Sequence, residues 1–180
     1  MGLSAGGWAL RLWPPVGLMA MLMLGLVVGK QSTRVDDWFA RFHDTPARHL
    51  EVIANPGVLI AVLVGVLAVC LYQRRWRLAA MTVVAPLLGI SFVRLLKPVF
   101  ERELGGGLAY PSGHVTTTVI VAGLVVLAAG AARWAVAAAV VLVPLAMLGV
   151  GITFHYFTDT VGGLLLGTSI LCVSAVVAET

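Results

Sequence analysis

Long, uninterrupted apolar runs alternate with short polar connections along this chain. Six runs can be marked: about Pro14 to Gly29, Pro56 to Tyr72, Leu78 to Leu96, Val115 to Gly130, Trp134 to Phe154 and Thr160 to Ala178. Each approaches the ~20 residues a helix needs to cross a hydrocarbon core of ~30 Å. Their continuity differs from the alternating pattern of barrel strands. In lipid every backbone N–H and C=O has to be paired within the protein, which leaves helices. The pattern predicts an all-α, polytopic membrane bundle of six transmembrane helices. The one substantial hydrophilic stretch, residues 32–55, contains Asp36, Asp37, Trp38, Phe39, Phe42, His43 and His49. Its mixture of charges and aromatics predicts an interfacial amphipathic helix in the first outer loop. The other connections leave no room for a second domain, so residues 1–180 read as a single membrane-embedded domain.

Composition strengthens this reading. Of the 180 residues, 60% are hydrophobic and 11% charged, against ~45–50% and ~25% in soluble domains. The net charge of +4 points to lipid headgroups and orientation signals, not to nucleic acid, because the cations sit mostly in loops. The basic loop Arg74-Arg75-Trp76-Arg77 and Arg133 fall on one face and favour it as cytoplasmic. The connections 32–55, 97–114 and 155–158 then share the extracytoplasmic face. Arg11 and the apolar run after it resemble a signal peptide, but no small-x-small site follows before Lys30-Gln31, so a retained helix is expected. Cys70 and Cys172 lie within apolar runs without ligand spacing, and read as small hydrophobes. The five tryptophans fall near run ends, as in an aromatic belt.

The polar residues at the run ends carry candidate chemistry. Tyr110-Pro111-Ser112-Gly113-His114 opens the fourth run, where a serine is a favoured helix cap. A helix start offers free N–H groups to an anion, Gly113 permits close approach, and Lys97 and Arg102 add cationic donors. His155 and Asp159 stand four residues apart, on one face if helical. A carboxylate on one imidazole nitrogen frees the other to attack. His114, on the same face, can protonate a leaving alkoxide. This set needs no metal or cofactor.

Lys97, Pro111-Ser112-Gly113-His114 and the His155…Asp159 pair resemble, in order and spacing, the motifs of the type-2 phosphatidic acid phosphatase superfamily, which also contains vanadium haloperoxidases. The resemblance implies that His155 is the nucleophile forming a phosphohistidine, that Asp159 orients it, and that His114 is acid and then base. Lys97, Arg102, Ser112 and Gly113 would bind the phosphate. Two arginines of the family pattern are absent. Leu104 stands where an Arg-Pro pair is usual, and Leu148-Gly149 where Ser-Arg is usual; Arg102 is the candidate substitute for one, and Arg94 or a basic residue of the 32–55 loop for the other.

The expected function is therefore metal-independent hydrolysis of a lipid phosphate or diphosphate at the outer membrane–water interface of the cell membrane. Polyprenyl phosphates and phospholipid phosphates are the candidate substrates, and cell-envelope members of the family weight the former. A non-catalytic lipid-phosphate binder or transporter is the alternative, motivated by the missing arginines. Blander readings stand beside each residue: His114 as an interfacial polar group, His155–Asp159 as a structural pair, Lys97 as a snorkelling cation, Arg102 as a loop charge balanced by Glu101 and Glu103.

Overall fold

The computed structural model describes residues 5–179. Its element order is α1 (Ala5–Val28), α2 (Arg34–Ala40), a 3₁₀ segment (Pro46–Ala54), α3 (Pro56–Tyr72), α4 (Trp76–Phe100), the two-residue strands β1 (Glu103–Leu104) and β2 (Gly107–Leu108), α5 (Gly113–Ala128), α6 (Arg133–Thr153) and α7 (Phe157–Glu179). Five helical stretches are long and apolar enough to cross a membrane: Gly7–Val28, Pro46–Tyr72, Trp76–Phe100, Arg133–Thr153 and Phe157–Ala178. They mark a multi-pass membrane protein. Gly113–Ala128 is apolar but shorter.

The short helix is the central one. α5 packs against α3, α4, α6 and α7, and its Val115, Ile120 and Leu124 are fully buried. The outward faces of the surrounding helices expose valine and leucine freely: Val64 is 62% exposed, Leu95 70% and Val140 66%. A water-soluble fold would hide such faces; a bundle solvated by lipid has no need to.

Small residues set the helix spacing. Gly163 and Gly167 let α7 lie directly on α5. A Cβ at Gly163 would stand 2.6 Å from the Ser112 carbonyl oxygen, and one at Gly167 2.8 Å from Val119 Cβ. Gly25 of α1 similarly faces the Phe100 and Tyr110 rings, whereas Gly29 has nothing within 4 Å and ends α1 at a positive φ of 61°. The four-residue spacing of Gly163 and Gly167 thus serves packing within the chain.

α1 begins before the expected Pro14 and runs through Pro14-Pro15. Its packing against α7, with Trp13 Nε1 donating to Thr168 Oγ1 at 2.9 Å, supports that turn although each proline removes a ladder donor. Arg75 donates to the Leu127 and Ala128 carbonyls at the C-terminal end of α5, where carbonyls run out of helical donors.

The stretch 32–55 departs from the expected single amphipathic helix. It divides into the seven residues of α2 and the nine of the 3₁₀ segment. A Thr33 capping box starts α2, and Pro46 starts the 3₁₀ segment, which packs along α6. Between α4 and α5 the hairpin β1–β2 turns through Gly105 and Gly106, at φ 59° and 82°, values that glycine adopts without strain.

Gly163→Ala is expected to lower stability by about 1–3 kcal/mol through overpacking. Gly65→Ala, where a Cβ meets nothing within 4 Å, is expected to be neutral or to raise it by up to about 1 kcal/mol. Thermal unfolding of the two variants in the same detergent checks the contrast.

Candidate functional site

The ends of α4 and α6, the starts of α5 and α7, α2 and the 3₁₀ segment converge at one end of the bundle. Ser112 caps α5, its Oγ accepting from the Val115 N–H at 3.4 Å, and its own N–H donates to the Asp159 carbonyl at 3.0 Å. The loop before α5 is thereby joined to the turn before α7. His114 stands in the first turn of α5 and His155 in the turn between α6 and α7. Their ring centroids are 5.9 Å apart, and His114 also stacks on Phe154 at 5.6 Å.

Behind His155 lies Asp159. His155 Nδ1 is 3.7 Å from Asp159 Oδ2, an ion-pair distance longer than a hydrogen bond, and Asp159 Oδ2 accepts from the Tyr156 N–H at 3.1 Å. With Nδ1 directed at this carboxylate, Nε2 is the nitrogen left for chemistry. Four buried polar atoms have no hydrogen-bond partner among the described residues: His155 Nδ1, Asp159 Oδ1, Arg102 Nε and Glu51 Oε2. All four belong to this end of the molecule, and buried polar atoms left unmatched call for a specific cause.

Arg102 is fully buried, and both of its terminal nitrogens have partners. Its Nη2 donates to Asp36 Oδ2 at 2.7 Å and to the Gln31 carbonyl at 3.0 Å; its Nη1 donates to Thr158 Oγ1 at 2.8 Å and lies 3.3 Å from Asp159 Oδ1. The guanidinium also sits 4.4 Å over the Tyr156 ring. Asp36 in turn accepts from the Thr158 N–H at 2.8 Å, so it caps α7 across space while closing the capping box of its own helix. Burial pushes the Asp36 carboxyl up, but the N–H groups and hydroxyls of Thr158 and Thr33 outweigh it and hold it below its ordinary value of 3.8.

A cavity of about 740 Å³ opens from the two histidines between α3 and α4. Arg94, Lys97, Gly113, His114 and His155 line its polar end; Leu59, Leu63 and Leu67 of α3 face Val83, Leu87 and Ile90 of α4 along the rest. Between Thr82 and Lys97 the helical rise makes it about 22 Å long. Lys97 Nζ donates to the Leu108 carbonyl of the hairpin.

The structure brings Lys97, Gly113, His114 and His155 to one cavity, with Asp159 directly behind and Ser112 at the cap. Arg102 lies in the buried cluster behind the histidines, and Arg94 on the cavity wall. At Gly149, where the family pattern has an arginine, a Cβ would stand 2.2 Å from the Glu51 N and 2.4 Å from the Leu50 carbonyl carbon. The 3₁₀ segment fills the space a side chain there would need. Sequence reasoning did not single out Asp36, Thr158, Glu51 or Phe154. The spacing Thr33-x-x-Asp36 was a visible capping signal; the pairing of Asp36 with Arg102 had no local signal. His43 Nδ1 donates to the Ile152 carbonyl at 2.7 Å and ties the outer loop to the end of α6.

Compared with known proteins, the chain matches no family model, no curated protein and no solved structure.

Asp36→Ala leaves the Arg102 charge buried beside a single carboxylate, and is expected to cost about 3–5 kcal/mol, read by thermal unfolding. Because the folded carboxyl titrates below its unfolded value, the stability it contributes is complete above the ordinary carboxylate range and is lost as pH falls through the folded value. Between pH 5 and 3, to order of magnitude, the wild-type midpoint should therefore fall more steeply than that of Asp36→Asn.

Proposed function

We propose that this protein is a lipid-phosphate phosphatase working without a metal through a phosphohistidine. One observation carries the reading: two imidazoles 5.9 Å apart, one backed by a buried carboxylate, stand at the polar end of a long apolar groove. A lipid tail suits the groove between α3 and α4, and its phosphate then lies beside Lys97, Arg94 and the start of α5. His155 Nε2 attacks phosphorus in line with the leaving oxygen, and His114 gives that oxygen a proton. Water then attacks the phosphohistidine while His114 takes a proton back. Asp159 offsets the positive charge that His155 gains on phosphorylation. Polyprenyl phosphates or diphosphates and phospholipid phosphates all satisfy these requirements.

In this reading the bundle crosses the cell membrane six times. α5 is short for a ~30 Å core, but its neighbours enclose it, so lipid thickness does not constrain it. α2 and the 3₁₀ segment lie at the extracytoplasmic interface with the site, opposite Arg74, Arg75, Arg77 and Arg133.

A second reading, a lipid-phosphate binder or transporter on the same scaffold, draws on the engagement of Arg102 with Asp36 and Asp159, which leaves fewer cations to face a phosphate.

Purified protein should release phosphate from a panel of lipid phosphates with a chelator present, and form an acid-labile phosphoenzyme. His155→Ala is expected to lower turnover at least about a thousandfold and abolish the phosphoenzyme; His114→Ala should lower turnover about 10²–10⁴-fold. Undiminished turnover in His155→Ala removes the nucleophile, and tight binding of lipid phosphate without hydrolysis establishes the second reading.

A further inference from the structure

Three cations stand along the end of α4 and the turn after it. Arg102 is paired with Asp36 and Asp159. Lys97 donates to the Leu108 carbonyl and lines the groove beside His114 and His155. Arg94 is exposed and lines the same groove, and among the described residues it has no hydrogen-bond or ion-pair partner. An arginine within an apolar helix is costly unless an anion or water meets it. No carboxylate lines the groove among the described residues, and the wall facing Arg94 from α3 is aliphatic. Two cations thus share one cavity with nothing of opposite charge in it. Their order along α4 says what anion fits. From the polar end inward the wall runs Lys97, Arg94, Ile90, Leu87 and Val83. Lys97 and Arg94 are three residues apart, so they share a helix face, with Arg94 about 4.5 Å farther along the axis. Beyond Arg94 this wall is hydrocarbon. A lipid monophosphate has a single anionic group and would leave Arg94 beside uncharged atoms. A lipid diphosphate has a terminal phosphate, a second phosphate one bridging oxygen away, and then its tail.

We propose that Arg94 holds the second phosphate of a lipid diphosphate and so selects diphosphates over monophosphates. This rests on the phosphatase reading above and names the substrate class of that site. The terminal phosphate lies at Lys97, the histidines and the start of α5; the second lies at Arg94; the tail follows Ile90, Leu87 and Val83. In the first half-reaction the His155 N–P bond forms at the terminal phosphorus. The bond from that phosphorus to the bridging oxygen breaks, its electron pair stays on the oxygen, and the proton of His114 passes there. In the second, water attacks phosphorus, the N–P bond breaks, and a proton from the water returns to His114. The products are inorganic phosphate and a lipid monophosphate. Negative charge develops on the bridging oxygen, which belongs to the phosphate that Arg94 holds, so the guanidinium acts most strongly where the charge grows. Its planar fork suits two phosphate oxygens at once.

Farnesyl diphosphate and farnesyl phosphate carry the same tail and differ by one phosphate. In mixed detergent micelles the full-length protein should turn over the diphosphate faster, releasing one phosphate and accumulating farnesyl phosphate. Arg94→Gln is expected to lower kcat/KM on the diphosphate about ten- to a hundredfold, and on the monophosphate by less than about threefold. Arg94→Lys keeps the charge without the fork, and its ratio between the two substrates should fall between those of wild type and Arg94→Gln. Should Arg94→Gln fail to fold, a narrowed ratio in Arg94→Lys carries the same test. Inorganic pyrophosphate, which has the two phosphates but no tail, should be cleaved far more slowly than farnesyl diphosphate; equal cleavage would overturn the lipid assignment. A ratio unchanged in both variants, as for an arginine that only snorkels to headgroups, would overturn the role of Arg94. So would equal slowing of both substrates, as for a residue that holds the reacting phosphate, or a wild type that favours the monophosphate. Absence of phosphate release by the wild type from either farnesyl substrate would instead defeat the phosphatase reading on which the role rests.

Discussion

The guanidinium of Arg102 and the carboxylates of Asp36 and Asp159 form a charge cluster buried completely in the bundle. Isolated, any of these charges would be costly in so dry a place. Together they join three distant segments: α2, the turn after α4, and the first turn of α7. The backbone bond from Ser112 to Asp159 adds the start of α5. The position of both histidines depends on this junction, because His155 leads into the capped turn and His114 follows the docked loop. Two acids stand against one base in this cluster, and His155 Nδ1 lies at its edge, 3.7 Å from Asp159 Oδ2.

Packing adds a second constraint. Glycines of α7 bring the loop carrying Ser112 and Tyr110 against its first turns; Gly162 has the Tyr110 ring 2.5 Å from where its Cβ would be. Gly149 does the same for the 3₁₀ segment on α6. Where a bulkier side chain would hold two elements apart, its absence admits backbone, and with it the groups that backbone carries. At Gly149 the space a side chain would need is filled by the backbone of Leu50 and Glu51.

Helical organisation was legible in the chain because apolar continuity is a local property. α3 begins and ends where its hydrophobic run does, at Pro56 and Tyr72. Ser112 as a cap and the proximity of His114 to His155 were also legible, since both follow from helix ends meeting at one face. Arg102 was visible as a cation, but not its burial. Its partner Asp36 lies 66 residues away, and nothing in either neighbourhood distinguishes a buried pair from two loop charges. The division of residues 32–55 was hidden for a similar reason: aromatic and charged residues mix there as they do in amphipathic helices, and tertiary contacts with α6 and α7 decide the outcome. Since the chain matches no known family model, the motif resemblance stands on these few positions and on the geometry that joins them.

The groove between α3 and α4 has exposed residues along its flank, Ile60, Val64 and Leu87 among them. In the proposed lipid-phosphate reading, an opening sideways into a bilayer makes recognition a two-dimensional event. A lipid would arrive by diffusing within its own leaflet, never leaving the hydrocarbon, and occupancy would follow its mole fraction among neighbouring lipids more than any concentration in water. Bulk phospholipid would then be the standing competitor for the groove, so that discrimination falls to the few polar groups at its mouth.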